Sequence, residues 1–357
     1  MTTNITTQKE AALALMEKVL RDGRPLAQEY PLIFEPDGAG RVETIEESDE
    51  VISACAWISR TLATPSADIP AAFIGSVATD LGIRGRGHGS RLLEDTLEKA
   101  RAEGAALSLL WADEPEWYQA RGWIPFGTEN VFVIEHGNAI LLPEPKGVRL
   151  ATRADYGAIH DLYCTHASRT LRTKEETEAL LGVPNMQIYV CEQDGEVTGY
   201  ACMGRGEDLA QVIHEWGGAP TAVLPIVSQL WAKSRNQHDR IFMMVPDTEA
   251  DYRAYFKFVR SEGAQGVLAM AHLGCTSAMA QTFNAALPAG VTAVATSDQT
   301  IDITGPKGTL RLTDHEILLA LCPPRGDRRV VDVIEQEVGA SLPNLPVSPF
   351  VWGLDSI

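Results

Sequence analysis

Arg84, Gly87 and Gly89 stand in the pattern R-x-x-G-x-G, with Gly85, Arg86 and His88 between them and Ser90 directly after. An apolar, β-branched stretch over residues 73–79 precedes the pattern, and a helical period starts at Ser90. A strand that runs through closely spaced glycines into a helix turns backbone N–H groups into an anion cradle. The glycines let the main chain approach a phosphate, and the helix supplies unpaired N–H groups and the positive end of its dipole. Arg84 and Arg86 add charge suited to a pyrophosphate. Two other phosphate loops are excluded by spacing. The dinucleotide fingerprint needs G-x-G-x-x-G and the nucleotide P-loop needs a Lys after its last glycine, whereas these glycines fall at 85, 87 and 89 with no Lys following.

The pattern, preceded by Val77-Ala78-Thr79, resembles motif A of the GNAT superfamily of acyl-CoA-dependent N-acetyltransferases. Residues 107–111 are similar to that family's fifth strand, and Trp117-Tyr118-Gln119-Ala120-Arg121-Gly122-Trp123 resembles its following helix and turn. The resemblance covers residues 40–135. It departs where the family usually carries a Pro shortly after the strand, a position held here by Leu81.

The resemblance implies acetyl-CoA as co-substrate, bound through Val77, Ala78, Thr79, Arg84, Gly85, Arg86, Gly87, His88, Gly89 and Ser90. His88 contributes its backbone there. A backbone N–H of the 77–79 segment is implied as the donor that polarises the thioester carbonyl. Tyr118 is implied as the acid for the departing thiolate, a task suited to a phenol that stays protonated at neutral pH. No carboxylate lies between residues 71 and 79, so the group that takes the amine's proton is open. Glu29, Glu46 and Glu47 are candidates by type, as is Glu215, and a water chain serves equally. Ile357 is a further candidate through its carboxyl group: the apolar ending 350–357 should be buried, and the architecture resembles acetyltransferases of the enhanced-intracellular-survival type, which use their terminus.

The chain has 357 residues, enough for two domains and a smaller piece. Its 48 acidic and 30 basic side chains give a formal charge of -18, which disfavours nucleic acid and anionic membranes and favours cationic partners. Polyamines, amino sugars and aminoglycoside-like amines fit that balance. The six cysteines form no C-x-x-C pair and read as buried, reduced thiols; with no zinc spacing, no metal is expected. The first residues carry neither a basic nor an apolar leader segment, which leads to an expectation of a soluble, cytoplasmic protein.

These groups require a frame. Periodicity gives an opening helix over 7–21, a hairpin over 41–47 and 50–61 around Ser48-Asp49, a strand over 69–77, a helix over 87–103, a strand over 106–111 and a short helix from Pro115. Residues 131–135 should complete that sheet. The family's usual first strand before the helix is not evident. After the Pro-rich stretch 143–147, the same order repeats without the same sequence: helices over 155–168 and 174–181, strands over 187–192, 196–202 and 209–215, a helix from Pro220, a strand over 241–245, a helix over 252–258 and a strand over 267–272. The second copy's glycine turn, Trp216-Gly217-Gly218-Ala219-Pro220, has no Arg and reads as degenerate for CoA.

The expected fold is therefore α/β (α+β): two GNAT-like mixed, mostly antiparallel sheets flanked by helices, in tandem, with a small C-terminal extension. The domains would be residues 1–142, 146–274 and 275–357, and a homodimer is compatible. The expected activity is acetyl transfer from acetyl-CoA to a primary amine of a small, cationic molecule. Its alternatives are a longer acyl donor, a non-catalytic acyl-CoA-binding sensor or partner-binding module, and a small-molecule binder unrelated to CoA.

Overall fold

The computed structural model describes residues 2–35, 38–297 and 299–357, with the side chains of residues 8–35 onward in that set. Two seven-stranded sheets and one three-stranded sheet organise the chain. The first sheet has the order Arg41–Glu47, Glu50–Ala63, Ile69–Thr79, Leu107–Leu110, Ala269–Leu273 and Ile124–Phe126, with Arg169–Thr170 pairing the end of Glu50–Ala63. Its opening hairpin turns through Ser48 and Asp49, both at positive φ (52° and 65°), which matches the right-handed twist of the flanking strands. The helix Thr2–Leu20 lies against this sheet, and the helix His88–Ala102 packs Leu93 and Ala100 against Trp57, Ile74 and Trp123.

The second sheet runs Gly263–Gly266, Glu129–Glu135, Arg240–Val245, Asp208–Gly218, Glu196–Arg205, Gln187–Gln193 and Val148–Leu150. The strand expected over 131–135 to complete the first sheet instead pairs antiparallel with Arg240–Val245 in the second. Its place is taken by Ala269–Leu273, which lies between Leu107–Leu110 and Ile124–Phe126. The exchanged strand sits in an apolar setting. Leu107 and Leu109 are wholly inaccessible, and Ala269, Met270, Ala271 and Leu273 are buried beside them. Phe132, by contrast, finds a stacked partner in Phe256 at 4.9 Å on the second sheet's side.

The third sheet, Thr292–Ser297, Thr300–Thr304 and Thr309–Thr313, is covered by Thr276–Ala286, Asp314–Leu321 and Arg329–Val338. The strand Thr309–Thr313 and the helix Arg329–Val338 are additions to the sequence reading. Past this unit the chain returns to the other two. Phe350, Val351, Trp352 and Leu354 are buried, as the apolar ending required.

Because each large sheet contains a strand from the other half, neither half should fold alone. Expressed by itself, the segment 1–142 lacks Ala269–Leu273 and should show no cooperative thermal transition, while the full chain melts cooperatively. A sharp transition in the isolated segment, followed by circular dichroism, would contradict this.

Candidate active site

The strand Ile69–Thr79 carries the first element of the site. Its pairing with Glu50–Ala63 runs Ala56↔Gly75 and then Ala54↔Ala78, so three steps on one strand oppose two on the other, and Ser76 in the bulge has φ 51°. On its other edge the strand pairs in parallel with Leu107–Leu110 at Ala71, Ala72 and Phe73, and no pairing continues beyond. The two strands therefore diverge from Gly75 to Thr79. Main-chain donors facing that gap have no strand partner, which is the arrangement needed to polarise a carbonyl.

The loop follows at once. Gly85 and Gly87 have φ of 82° and 86°, and a Cβ on either would meet no atom within 4 Å, so the left-handed turn leaves open space above the backbone. Gly87 caps the helix His88–Ala102, and Gly89 lets that helix approach the Thr79 hydroxyl, to which an added Cβ would be 3.1 Å. Asp80 accepts from the Gly82 N–H at 2.9 Å, and Arg84 Nε donates to the Thr79 carbonyl at 3.3 Å. Arg84 and Arg86 are exposed. The His88 ring is mostly covered and lies 3.6 Å from Glu47. These residues fit a pyrophosphate: open space above the glycines and two exposed arginines, of which Arg84 is tethered to the Thr79 carbonyl through its Nε.

Tyr118 lies on the helix Pro115–Gln119, its ring 4.8 Å from Trp117 and 6.0 Å from Trp123, in the same apolar cluster as Val77. Among the described residues its hydroxyl has no hydrogen-bond partner. Burial first, and then Cys55, Asp113 and Glu114, push its pKa up to about 12, so it is a protonated donor across neutral pH. Sequence reading missed the residue that holds this helix: Arg121 stacks on Trp117 at 3.7 Å and donates to the Trp117 carbonyl and the Ser90 hydroxyl, at 2.6 and 2.9 Å. It ties the tyrosine's helix to the first turn of the cradle helix.

The carbonyl carbon and oxygen of Ile357 lie directly against Gly75, where an added Cβ would collide with them. A lone glycine within an apolar strand marks a close approach of this kind, and that signal was present in the sequence. Two buried cations hold the tail that delivers Ile357. Arg172 donates to both oxygens of Asp355 (2.7 and 2.6 Å) and to both of Glu215 (3.2 and 2.7 Å). Arg205 donates to the Gly353 carbonyl and the Ser356 hydroxyl at 3.0 and 2.9 Å. Tyr163 and Tyr200 donate to Asp355 and Glu215.

Glu215 is thus wholly buried with its oxygens committed. Glu29 is likewise committed, to Arg21 and the Glu207 N–H, both at 3.0 Å, and Glu46 accepts from Gln8 at 2.8 Å. Tyr30, Ile33, Ile58, Leu180 and Leu354 wall a cleft beside Ile357.

The second sheet repeats the geometry of the first with different contents. Its strand Asp208–Gly218 bulges at His214 and pairs with Arg240–Val245 only at Val212 and Ile213 before diverging. The tail lies on this diverging segment: the Gly353 N–H donates to the His214 carbonyl at 3.1 Å, Gly353 touches the His214 side chain, and Trp352 packs edge-on against Trp216 at 5.2 Å. Among the described residues no group of three or more His, Cys, Asp or Glu could hold a metal ion, and no helix is long and apolar enough to cross a membrane.

Residues 6–126 match the family model described as the acetyltransferase (GNAT) domain. No curated protein matches the sequence. Among solved structures, the chain is similar to a probable N-acyltransferase from Enterococcus faecalis V583 (TM-score 0.72, 12% identity, 97% of each chain covered). It is also similar to a GCN5-related N-acetyltransferase from Anabaena variabilis ATCC 29413 (TM-score 0.68, 14% identity, 100% of this chain and 98% of the other). A third likeness is to Eis1 from Mycobacterium abscessus (TM-score 0.59, 15% identity, 97% of each chain). At these identities the three structures speak to the fold, which they share along nearly its whole length.

His214 gives the tail a dependence on pH. Burial pushes its pKa down to about 3, its Nε2–H donates to the Gly204 carbonyl at 2.9 Å, and its Nδ1 has no partner among the described residues. The unfolded chain binds a proton at the ordinary value of 6.5, so between pH 6.5 and 3 the unfolded state is favoured by about 1.4 kcal/mol per pH unit from this group. Stability measured by denaturant should fall on acidification through that window, and His214→Gln should flatten the slope. Equal slopes in the two proteins would contradict the assignment.

Proposed function

We propose, from the premise that its N-terminal part is a GNAT acetyltransferase domain, that this chain moves an acetyl group from acetyl-CoA to a primary amine of a small, cationic molecule. The observation that carries the reading is the convergence of three features on the diverging segment of Ile69–Thr79: the open glycine cradle, the unpartnered Tyr118 hydroxyl and the carboxyl group of Ile357. Backbone amides of Gly85, Gly87 and Gly89, with Arg84 and Arg86, would take the pyrophosphate. The thioester would then lie along Val77–Thr79, its carbonyl polarised by a main-chain N–H.

The amine attacks that carbonyl directly. Ile357 is suited to orient the amine and accept its proton, since it sits beside Gly75 where no side-chain carboxylate is available from the strand. Tyr118 supplies a proton to the sulfur as the C–S bond breaks. The second domain's cleft is lined by its own chain, from Trp352 to Asp355, which supports the reading that only the first domain takes CoA.

Tyr118→Phe should lower kcat about 10²-fold with any accepted amine while leaving acetyl-CoA affinity, measured by calorimetry, unchanged. With its pKa raised to about 12, the tyrosine should impose no loss of rate between pH 8 and 10. Turnover within a few-fold of the parent would reduce Tyr118 to packing. Extending the chain past Ile357 by a short polar tag should also remove turnover while CoA binding and thermal stability persist, and a folded, fully active tagged protein would exclude a role for Ile357.

A further inference from the structure

Away from this site, one cysteine differs from the rest. Cys55, Cys191, Cys202 and Cys322 are buried, in keeping with the expectation of inert thiols, but Cys164 is exposed and Cys275 partly so. Cys164 follows the helix Tyr156–Tyr163, one turn beyond His160, and its sulfur lies 3.5 Å from His160 Nε2. The other ring nitrogen, Nδ1, is 2.8 Å from the Thr177 hydroxyl. Thr177 Oγ1 itself donates to the Thr173 carbonyl at 3.1 Å, so its oxygen is left to accept. That fixes the tautomer: Nδ1 carries the proton, and Nε2 presents its lone pair to the thiol.

Nucleophile, base and a third group that orients the base are therefore in line, with the base buried and the sulfur open to solvent. We propose that Cys164 is a nucleophilic thiol activated by His160, and that it forms a reversible mixed disulfide with low-molecular-weight disulfides. As Sγ attacks one sulfur of the reagent, its proton passes to His160 Nε2, the reagent's S–S bond breaks and the new Sγ–S bond forms. The departing thiolate takes the proton back from Nε2. Cys164 is oxidised, the reagent disulfide is reduced, and no other oxidant enters.

Burial lowers the His160 pKa from its ordinary value, which keeps the ring in its basic form at neutral pH. The charged groups around it are Asp161 on its own helix, Arg172 just before the facing helix Lys174–Leu181, and Lys174 and Glu175 in that helix's first turn, two acidic and two basic. Cys275 lacks this arrangement, since its sulfur is 3.0 Å from the Ser277 hydroxyl rather than from an imidazole.

The test uses the full chain carrying Cys275→Ser and the neutral disulfide 4,4′-dithiodipyridine, with thiopyridone release followed by absorbance. One equivalent per chain should be released, and none once Cys164→Ser is added. His160→Asn keeps an amide N–H near Thr177 but removes the base, and should slow the reaction at pH 7 about tenfold or more. A second readout needs no change at His160. The rate should level off at a lower pH than that of an unassisted thiol, which climbs until above pH 8. An unchanged rate in His160→Asn, or a profile that tracks the unassisted thiol in the His160 protein, would overturn the proposal.

Discussion

Arg172 sits with no solvent contact between two carboxylates, Asp355 and Glu215, that have none either. Taking three charges out of water costs several kcal/mol per ion, and the expense is offset only where the oxygens and N–H groups find partners. Here all four carboxylate oxygens are paired, and four of Arg172's five N–H groups donate to them. Arg172 spans both carboxylates, Tyr163 and Tyr200 donate to them, and the Tyr163 ring lies under the guanidinium at 4.0 Å. Such a cluster tolerates one geometry. Since Asp355 comes from the last residues and Glu215 from the second sheet, it fixes where the tail runs and therefore where Ile357 arrives.

Much of the architecture follows from that tail. On its way it packs Trp352 against His166 and Trp216, donates a backbone hydrogen bond to the His214 carbonyl of the bulged strand, is held by Arg205, and ends against the bulge of the first sheet at Gly75. One bulged strand receives the tail along its side, while the other meets only its last residue, at Gly75. The strand exchange between the sheets makes this a stiff frame, because Ala269–Leu273 and Glu129–Glu135 each lock one half to the other. Arg121 completes it locally by tying the Tyr118 helix to the start of the cradle helix.

The glycine turn from strand to helix was legible because its signal is local: glycine spacing, an apolar strand before and a helical period after lie within about twenty residues of each other. The hairpins and most helices were legible for the same reason. The strand exchange was not, since periodicity marks 131–135 and 267–272 as strands but carries nothing about which sheet each joins. Both segments are apolar enough to lie beside the buried Leu107 and Leu109, so composition does not separate them. Arg172 has no pattern around it to announce a buried ion cluster, because its partners lie 43 and 183 residues away. Glu215 looked available by type and is consumed by that cluster. The amphipathic helix Arg329–Val338 was present as Val331, Ile334 and Val338, ending at Gly339, and was simply passed over. Cys164 was grouped with buried thiols because its neighbours in sequence are apolar, although its position just past a helix end exposes it.

The account holds that two similar bulged strands have opposite fates, one open to acyl-CoA and one lined by the tail. Calorimetric titration of acetyl-CoA into the full chain tests this most directly. The expected result is one site per chain, lost in Gly87→Val and retained when Gly217 and Gly218 are left intact but Ala219 is changed to Asp. Two equivalent sites, or binding that survives Gly87→Val, would contradict it.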